Sequence, residues 1–255
     1  MKHRRKASFL YKINTDESKS TLLEKIKKFL QKTKINTSGA HPWHGFLVGN
    51  DGVVVFSKHD QRYYSAKYGL EVRSDVQLFD DQTYTNYIPE IAPVLFDLDD
   101  QFVVISSSTS KARTAIYHSM KLFLEDENFI KIDQLQYSPD FLRWLVHNAT
   151  DIQNGLFNRI DRVKLVDLME FDPDTTDVQV GSDDQVRDSE VYRSFGDNGR
   201  HVSISGFVRI NSTSIPFRIY SSGKITLTAD PSDYGTYLIQ LATELERLRS
   251  VSTSS

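Results

Sequence analysis

The stretch from His201 to Leu248 constrains this chain most, because its hydrophobic period changes from strand-like to helix-like at one defined place. Val202, Ile204 and Gly206, then Phe207, Val208 and Ile210, give a period near two over His201 to Ile210. Ile215 to Tyr220 and Lys224 to Ala229 read as two further strands, with Ser221-Ser222-Gly223 as a tight hairpin turn in which glycine tolerates positive φ. Pro231-Ser232-Asp233 then opens a helix in which Tyr237, Leu238, Leu241, Leu245 and Leu248 recur at helical spacing. Strands that share an apolar face with one amphipathic helix specify an α+β unit.

The rest of the chain extends the same reading. Ser8 to Asn14 reads as a short strand, followed by a helix capped by Asp16 or Ser20 with Leu22, Leu23, Ile26, Phe29 and Leu30 as its apolar stripe. Gly49-Asn50-Asp51-Gly52 between Phe46-Leu47-Val48 and Val53 to Phe56 is a hairpin signal. Further strands are expected at Tyr63 to Ala66, Leu70 to Leu78, Val94 to Leu98 and Phe102 to Ser106, with Asp99-Asp100 turning the last pair. Helices are expected from about Lys111 to Leu124 and from Ser138 to near Gly155, and strands at Val163 to Phe171 and Val178 to Val180.

The expected architecture is therefore α+β, antiparallel sheets backed by helices, with a basic arm and helix over 1–34 and two α+β halves over 35–130 and 131–255. Val94 to Leu124 and Phe217 to Leu248 share one plan of strand, turn, strand and helix, which suggests pseudo-repeated hairpin-helix halves; a common packing solution gives the same plan without duplication.

Ile219-Tyr220-Ser221-Ser222-Gly223-Lys224-Ile225, with Thr228 and a helix behind it, resembles the strand, turn, strand and helix that ends each half-repeat of the TATA-binding protein family. The resemblance implies a curved antiparallel sheet backed by helices, whose concave face in that family binds the DNA minor groove. The wedge phenylalanines of that family have no counterparts here.

Composition narrows the chemistry. The chain has no cysteine, which excludes disulfides, thiolate metal sites and a thiol nucleophile, and fits a reducing compartment. No apolar run approaches the roughly twenty residues of a membrane helix, and the basic start is not followed by a signal-peptide segment, so a cytoplasmic, membrane-free protein is expected. The net charge of −3 is unevenly spread: residues 1–34 hold eleven Lys or Arg against three acidic residues, and residues 35–255 hold twenty against thirty-one.

Two functional classes follow. Arg4, Arg5 and Lys6 with Lys25, Lys27, Lys28 and Lys32 form a basic arm and helix suited to salt-dependent contact with nucleic-acid phosphates, which favours a non-enzymatic binding or adaptor protein without a cofactor. Another protein is the alternative partner. The competing class is a metal-dependent hydrolase or nuclease. If Asn50-Asp51 forms a two-residue turn, counting along the hairpin sets Gly49 opposite Gly52, His44 opposite Ser57 and His41 opposite Asp60. His41, His44, His59 and Asp60 would then gather donors suited to a divalent metal. Asp97, Asp99 and Asp100 with Lys111 and Arg113 are a second candidate of this class. Ser107 to Ser110 ahead of a helix is a candidate anion site, and the acidic segment from Glu170 to Glu190 a candidate contact for a basic partner.

Overall fold

The computed structural model describes residues 6–36, 42–59, 63–77, 83–106, 110–125, 130–168, 177–196, 198–230 and 233–253. These residues form an α+β protein of antiparallel sheet with five α-helices. The chain divides into two compact units, one of Tyr11–Asp133 and one of Gln134–Ser255 with the chain's start through Leu10. Strand β1 (Lys6–Asn14) is shared: its first residues pair in the C-terminal unit and its last belong to the other.

In the Tyr11–Asp133 unit, α1 (Lys19–Lys32) is capped by Ser18, whose Oγ accepts from Thr21 N at 3.2 Å; neither Asp16 nor Ser20 is the cap. Leu22, Ile26, Phe29 and Leu30 are buried, so the stripe read from the sequence is its core face. Next come β2 (His44–Phe46), β3 (Ser57–His59), β4 (Tyr63–Gln77), β5 (Thr83–Asp97), β6 (Phe102–Ser106), α2 (Ser110–Glu125) and β7 (Lys131–Gln134). Both β2 and β3 pair with β4, β5 pairs with β4, and β6 with β5, all antiparallel. β4 is one strand where the sequence suggested two.

β5 begins at Thr83, ahead of the expected Val94, and runs through Pro89 and Pro93. They are accommodated opposite Glu71 and Lys67, ahead of Val94–Asp97, the residues that pair with β6. A backbone laddered on one side needs no N–H on the other, so proline fits there.

The C-terminal unit contains α3 (Pro139–Asn148), β8 (Phe157–Val166), β9 (Asp177–Gly181), α4 (Glu190–Phe195), β10 (Arg200–Ile210), β11 (Thr213–Tyr220), β12 (Lys224–Leu227) and α5 (Tyr234–Ser252). Its strand order is β9-β8-β10-β11-β12, with the start of β1 along β12. The three strands and helix that open the sequence argument are present within a few residues of their expected ends. Asn211 and Ser212, at φ 48° and 65°, form the two-residue turn between β10 and β11. Gly223 N donates to Tyr220 O at 3.0 Å, and Gly223 takes φ +78° in the next turn.

One face of this sheet is apolar. Val163, Ile204, Val208, Ile215, Ile219, Ile225 and Leu227 are all buried on it, together with Leu142, Leu145 and Val146 of α3 and Leu238, Leu241, Leu245 and Leu248 of α5. Removing each such side chain from water contributes about 2 kcal/mol. Alternate residues of the same strands point the other way, and no apolar stripe of a helix is needed to cover them.

α3 is shorter than the expected helix to Gly155, giving way to a 3₁₀ turn at Ala149–Asp151. β8 starts six residues before the expected Val163, because Asn158, Arg159, Asp161 and Arg162 break the apolar alternation. A bulge explains part of that break. Ser205 lies opposite Arg162 and Gly206 opposite Ile160, leaving Asp161 as the extra residue on β8. Among the described residues no helix is long and apolar enough to cross a membrane.

Candidate functional site

The lysines of α1 are mostly matched. Lys19 pairs with Asp99, Lys25 with Glu17 at 2.6 Å and Lys27 with Glu24 at 2.8 Å, while Lys32 Nζ lies 5.0 Å from the Phe123 ring centre. Lys28 is exposed and has no carboxylate partner among the described residues. Arg4 and Arg5 lie outside the described residues, as does the side chain of Lys6.

The early hairpin does not take the register counted from its sequence. Gly52 N donates to Gly49 O and Gly49 N to Val53 O, so Val48 faces Val54 instead of Val53. Beyond Leu47 and Val55 the two arms diverge, since Leu47 N donates to Lys67 O of β4. His44 therefore lies opposite Leu70 and His59 opposite Tyr63. Seven residues along β4 separate these partners, roughly 23 Å at strand rise, too far for one ion to touch both imidazoles. Their polar contacts are local: His44 Nδ1 lies 3.0 Å from the Tyr68 hydroxyl and His59 Nε2 2.6 Å from Ser65 Oγ. His41 and Asp60 fall outside the described residues, and no group of three or more His, Asp or Glu among those described could hold a metal.

Asp97 is buried, and its Oδ1 accepts from Asp99 N at 3.0 Å and Asp100 N at 3.2 Å. That is the work of a turn-forming aspartate. Ser107 to Thr109 and, of the acidic segment, residues 170–176 lie outside the described residues, whereas Asp177 pairs with Lys164 at 2.6 Å.

The concentration of unmatched positive charge lies elsewhere, on the outward face of the C-terminal sheet. The ladder aligns its side chains in three rows. Phe9, Lys224, Tyr220, Ser203 and Lys164 form one, Ala7, Thr226, Arg218, Ser205 and Arg162 the next, and Thr228, Pro216, Phe207 and Arg159 the third. Arg162, Arg218 and Lys224 have no carboxylate partner among the described residues; Arg159 pairs with Asp161 at 3.4 Å.

Aromatic rings sit among these cations. The Arg159 guanidinium lies 4.6 Å from the centre of Phe207, and Lys224 Nζ 5.0 Å from that of Tyr220. Arg218 Nε donates to Ser205 Oγ at 2.8 Å, which holds the guanidinium over the middle row. Phe207, Tyr220, Arg218 and Ser205 are each part-exposed, and they line a shallow groove of about 260 Å³ with Arg162 and Pro216. A small-molecule pocket spans roughly 300–1,000 Å³ and encloses its ligand. This groove instead suits a ligand laid across the strands.

A larger cleft of about 830 Å³ opens at the start of α3, lined by Tyr137, Asp140, Trp144, Arg200 and Arg249. Its cations are matched, Arg200 by Asp167 at 2.5 Å and Arg249 by Glu246 at 3.7 Å. Elsewhere in this unit the Tyr192 hydroxyl lies 2.9 Å from His201 Nε2 and 3.3 Å from His147 Nε2. Burial, then the nearby Arg143 charge, pushes the His201 pKa down to about 4, so this imidazole is neutral at pH 7.

Sequence reasoning passed over the outward face because it followed the apolar positions. The signal was present in the complementary set: Arg218 and Tyr220, then Lys224 and Thr226, alternate with the core residues of the two strands. Compared with known proteins, the chain matches no family model and no curated protein sequence.

Proposed function

We propose that the protein is a non-enzymatic nucleic-acid-binding protein that carries its ligand on the outward face of β8, β10, β11 and β12. The observation that supports this reading is the cluster of Arg162, Arg218 and Lys224, without carboxylate partners among the described residues, around Phe207 and Tyr220. Cations at such density attract a polyanion by counterion release, and aromatic faces offer bases a surface that fully paired charges would not. The basic arm belongs to the same proposal. Arg4 and Arg5 precede β1, the strand that borders β12, and with Lys6 they would add phosphate contacts.

Salt dependence tests the proposal. With labelled oligonucleotides, log affinity should fall with log salt, with Arg162, Arg218 and Lys224 contributing a slope of about −2 for three phosphate contacts made by a single strand and the basic arm steepening it further. The variant carrying Arg162→Gln, Arg218→Gln and Lys224→Gln should lose most of that slope, and neutralising Lys27, Lys28 and Lys32 should leave it largely intact. Affinity indifferent to salt, or untouched by the triple change, would sink the reading.

A further inference from the structure

We propose that the ligand of this face is single-stranded, RNA or DNA, with unstacked bases laid against Phe207 and Tyr220; this rests on the nucleic-acid reading above. Tyr220 lies opposite Ser203, and Phe207 is four residues from Ser203 along β10, so the two rings are roughly 13 Å apart on one face. Each has a cation over its ring, Arg159 at Phe207 and Lys224 at Tyr220; Lys224 is without a carboxylate partner among the described residues and is the phosphate-binding group beside Tyr220, whereas Arg159 is paired with Asp161. The middle row between them presents Ser205, Arg218 and Thr226.

A duplex cannot use this arrangement. Its bases stack on one another and show only their edges in the grooves, so neither ring would meet a base face. A single strand can turn successive bases outward onto aromatic rings while its phosphates follow the cations. The Arg218 guanidinium, held by Ser205 Oγ, adds a planar surface between the two rings, and the hydroxyls of Ser205 and Thr226 lie where base edges or a ribose 2′-hydroxyl would pass. The shallow groove fits this mode, because splayed bases need platforms and not enclosure.

The test uses the full chain with oligouridylate, oligothymidylate and a matching duplex of equal length at one salt concentration. A single strand should bind at least about tenfold more tightly than the duplex, the lower part of the range for base stacking on aromatic residues. Tighter uridylate binding assigns the site to RNA, and equal or tighter thymidylate binding to a reader indifferent to the 2′-hydroxyl. Phe207→Leu and Tyr220→Leu should each weaken single-strand binding about tenfold without changing the salt slope, whereas Tyr220→Phe should keep it. Photocrosslinking of iodouracil-substituted strands to the unaltered protein, mapped to Phe207 or Tyr220, gives the same answer without relying on a variant's folding. Duplex binding as tight as single-strand binding, or crosslinks confined to the N-terminal arm, would overturn the inference and leave the nucleic-acid reading standing. Binding of none of the three would remove both.

Discussion

The carbonyl oxygen of Arg159 fills the space in which Gly206 would carry a side chain: a β-carbon built on Gly206 lies 1.9 Å from that oxygen. The close approach follows from the bulge at Asp161, which presses β8 onto β10 where the outward groove forms. Gly206→Ala should therefore destabilise the fold by about 3 kcal/mol or more, since backbone, not a flexible side chain, must move. Urea unfolding checks this, and a variant that does fold should have weakened oligonucleotide binding, because Phe207 and Arg159 are displaced together.

Two glycines share a backbone conformation but not a neighbourhood. Gly52 at φ +72° has nothing within 4 Å of a built β-carbon, whereas one on Gly223 at φ +78° would lie 1.7 Å from Leu135 O. Gly52→Ala should cost only the left-handed penalty of about 1 kcal/mol. Gly223→Ala should cost several times as much. Thermal denaturation of the pair separates strain from collision, and equal losses would contradict the packing described here.

Acid should act through His201. Its folded pKa of about 4 lies below the ordinary 6.5, so between these values the unfolded chain binds the extra proton. The stabilising effect of a neutral His201 is complete above about pH 6.5 and is lost as pH falls toward 4, by roughly 3 kcal/mol in all. The groups around it are Arg143, His147 and Asp140, with Tyr192 hydrogen-bonded to Nε2. Replacing it as His201→Gln should flatten the stability profile over that window, read by urea titrations at a series of pH values.

Tyr137 offers the opposite sign. Its ring is buried against Phe141, and its hydroxyl has no hydrogen-bond partner among the described residues. Burial, reinforced by the Glu246 charge, pushes its pKa far above the usual range. An unpaired buried hydroxyl costs about 1–3 kcal/mol in desolvation, so Tyr137→Phe should be neutral or stabilising by about 1 kcal/mol. A marked loss of stability would mean the hydroxyl is bonded after all.

How much of this was legible beforehand divides along the range of the interactions. Ser221-Ser222-Gly223, the alternation from Val202 to Ile210 and the leucine stripe of α5 are statements about neighbours a few residues apart, and they located β10, β11, β12 and α5. The start of β5 ahead of the expected Val94 was not legible, because the tolerance of Pro89 and Pro93 depends on whether another strand lies alongside, which no local pattern records. The histidine cluster was miscounted for a similar reason: the hairpin continues only until Leu47 finds Lys67, and β4 then draws His44 and His59 apart.

The amino-acid sequence alone determined which segments are strands and helices around the C-terminal core, because turn chemistry and side-chain period act over one or two turns of chain. Only the tertiary structure decided which charges are left unmatched. Lys19 is paired by Asp99, eighty positions away, while Arg162, Arg218 and Lys224 come from three strands and meet only through the ladder. Electrostatic pairing depends on distance in space, and distance in space between remote residues is set when the sheet closes its register.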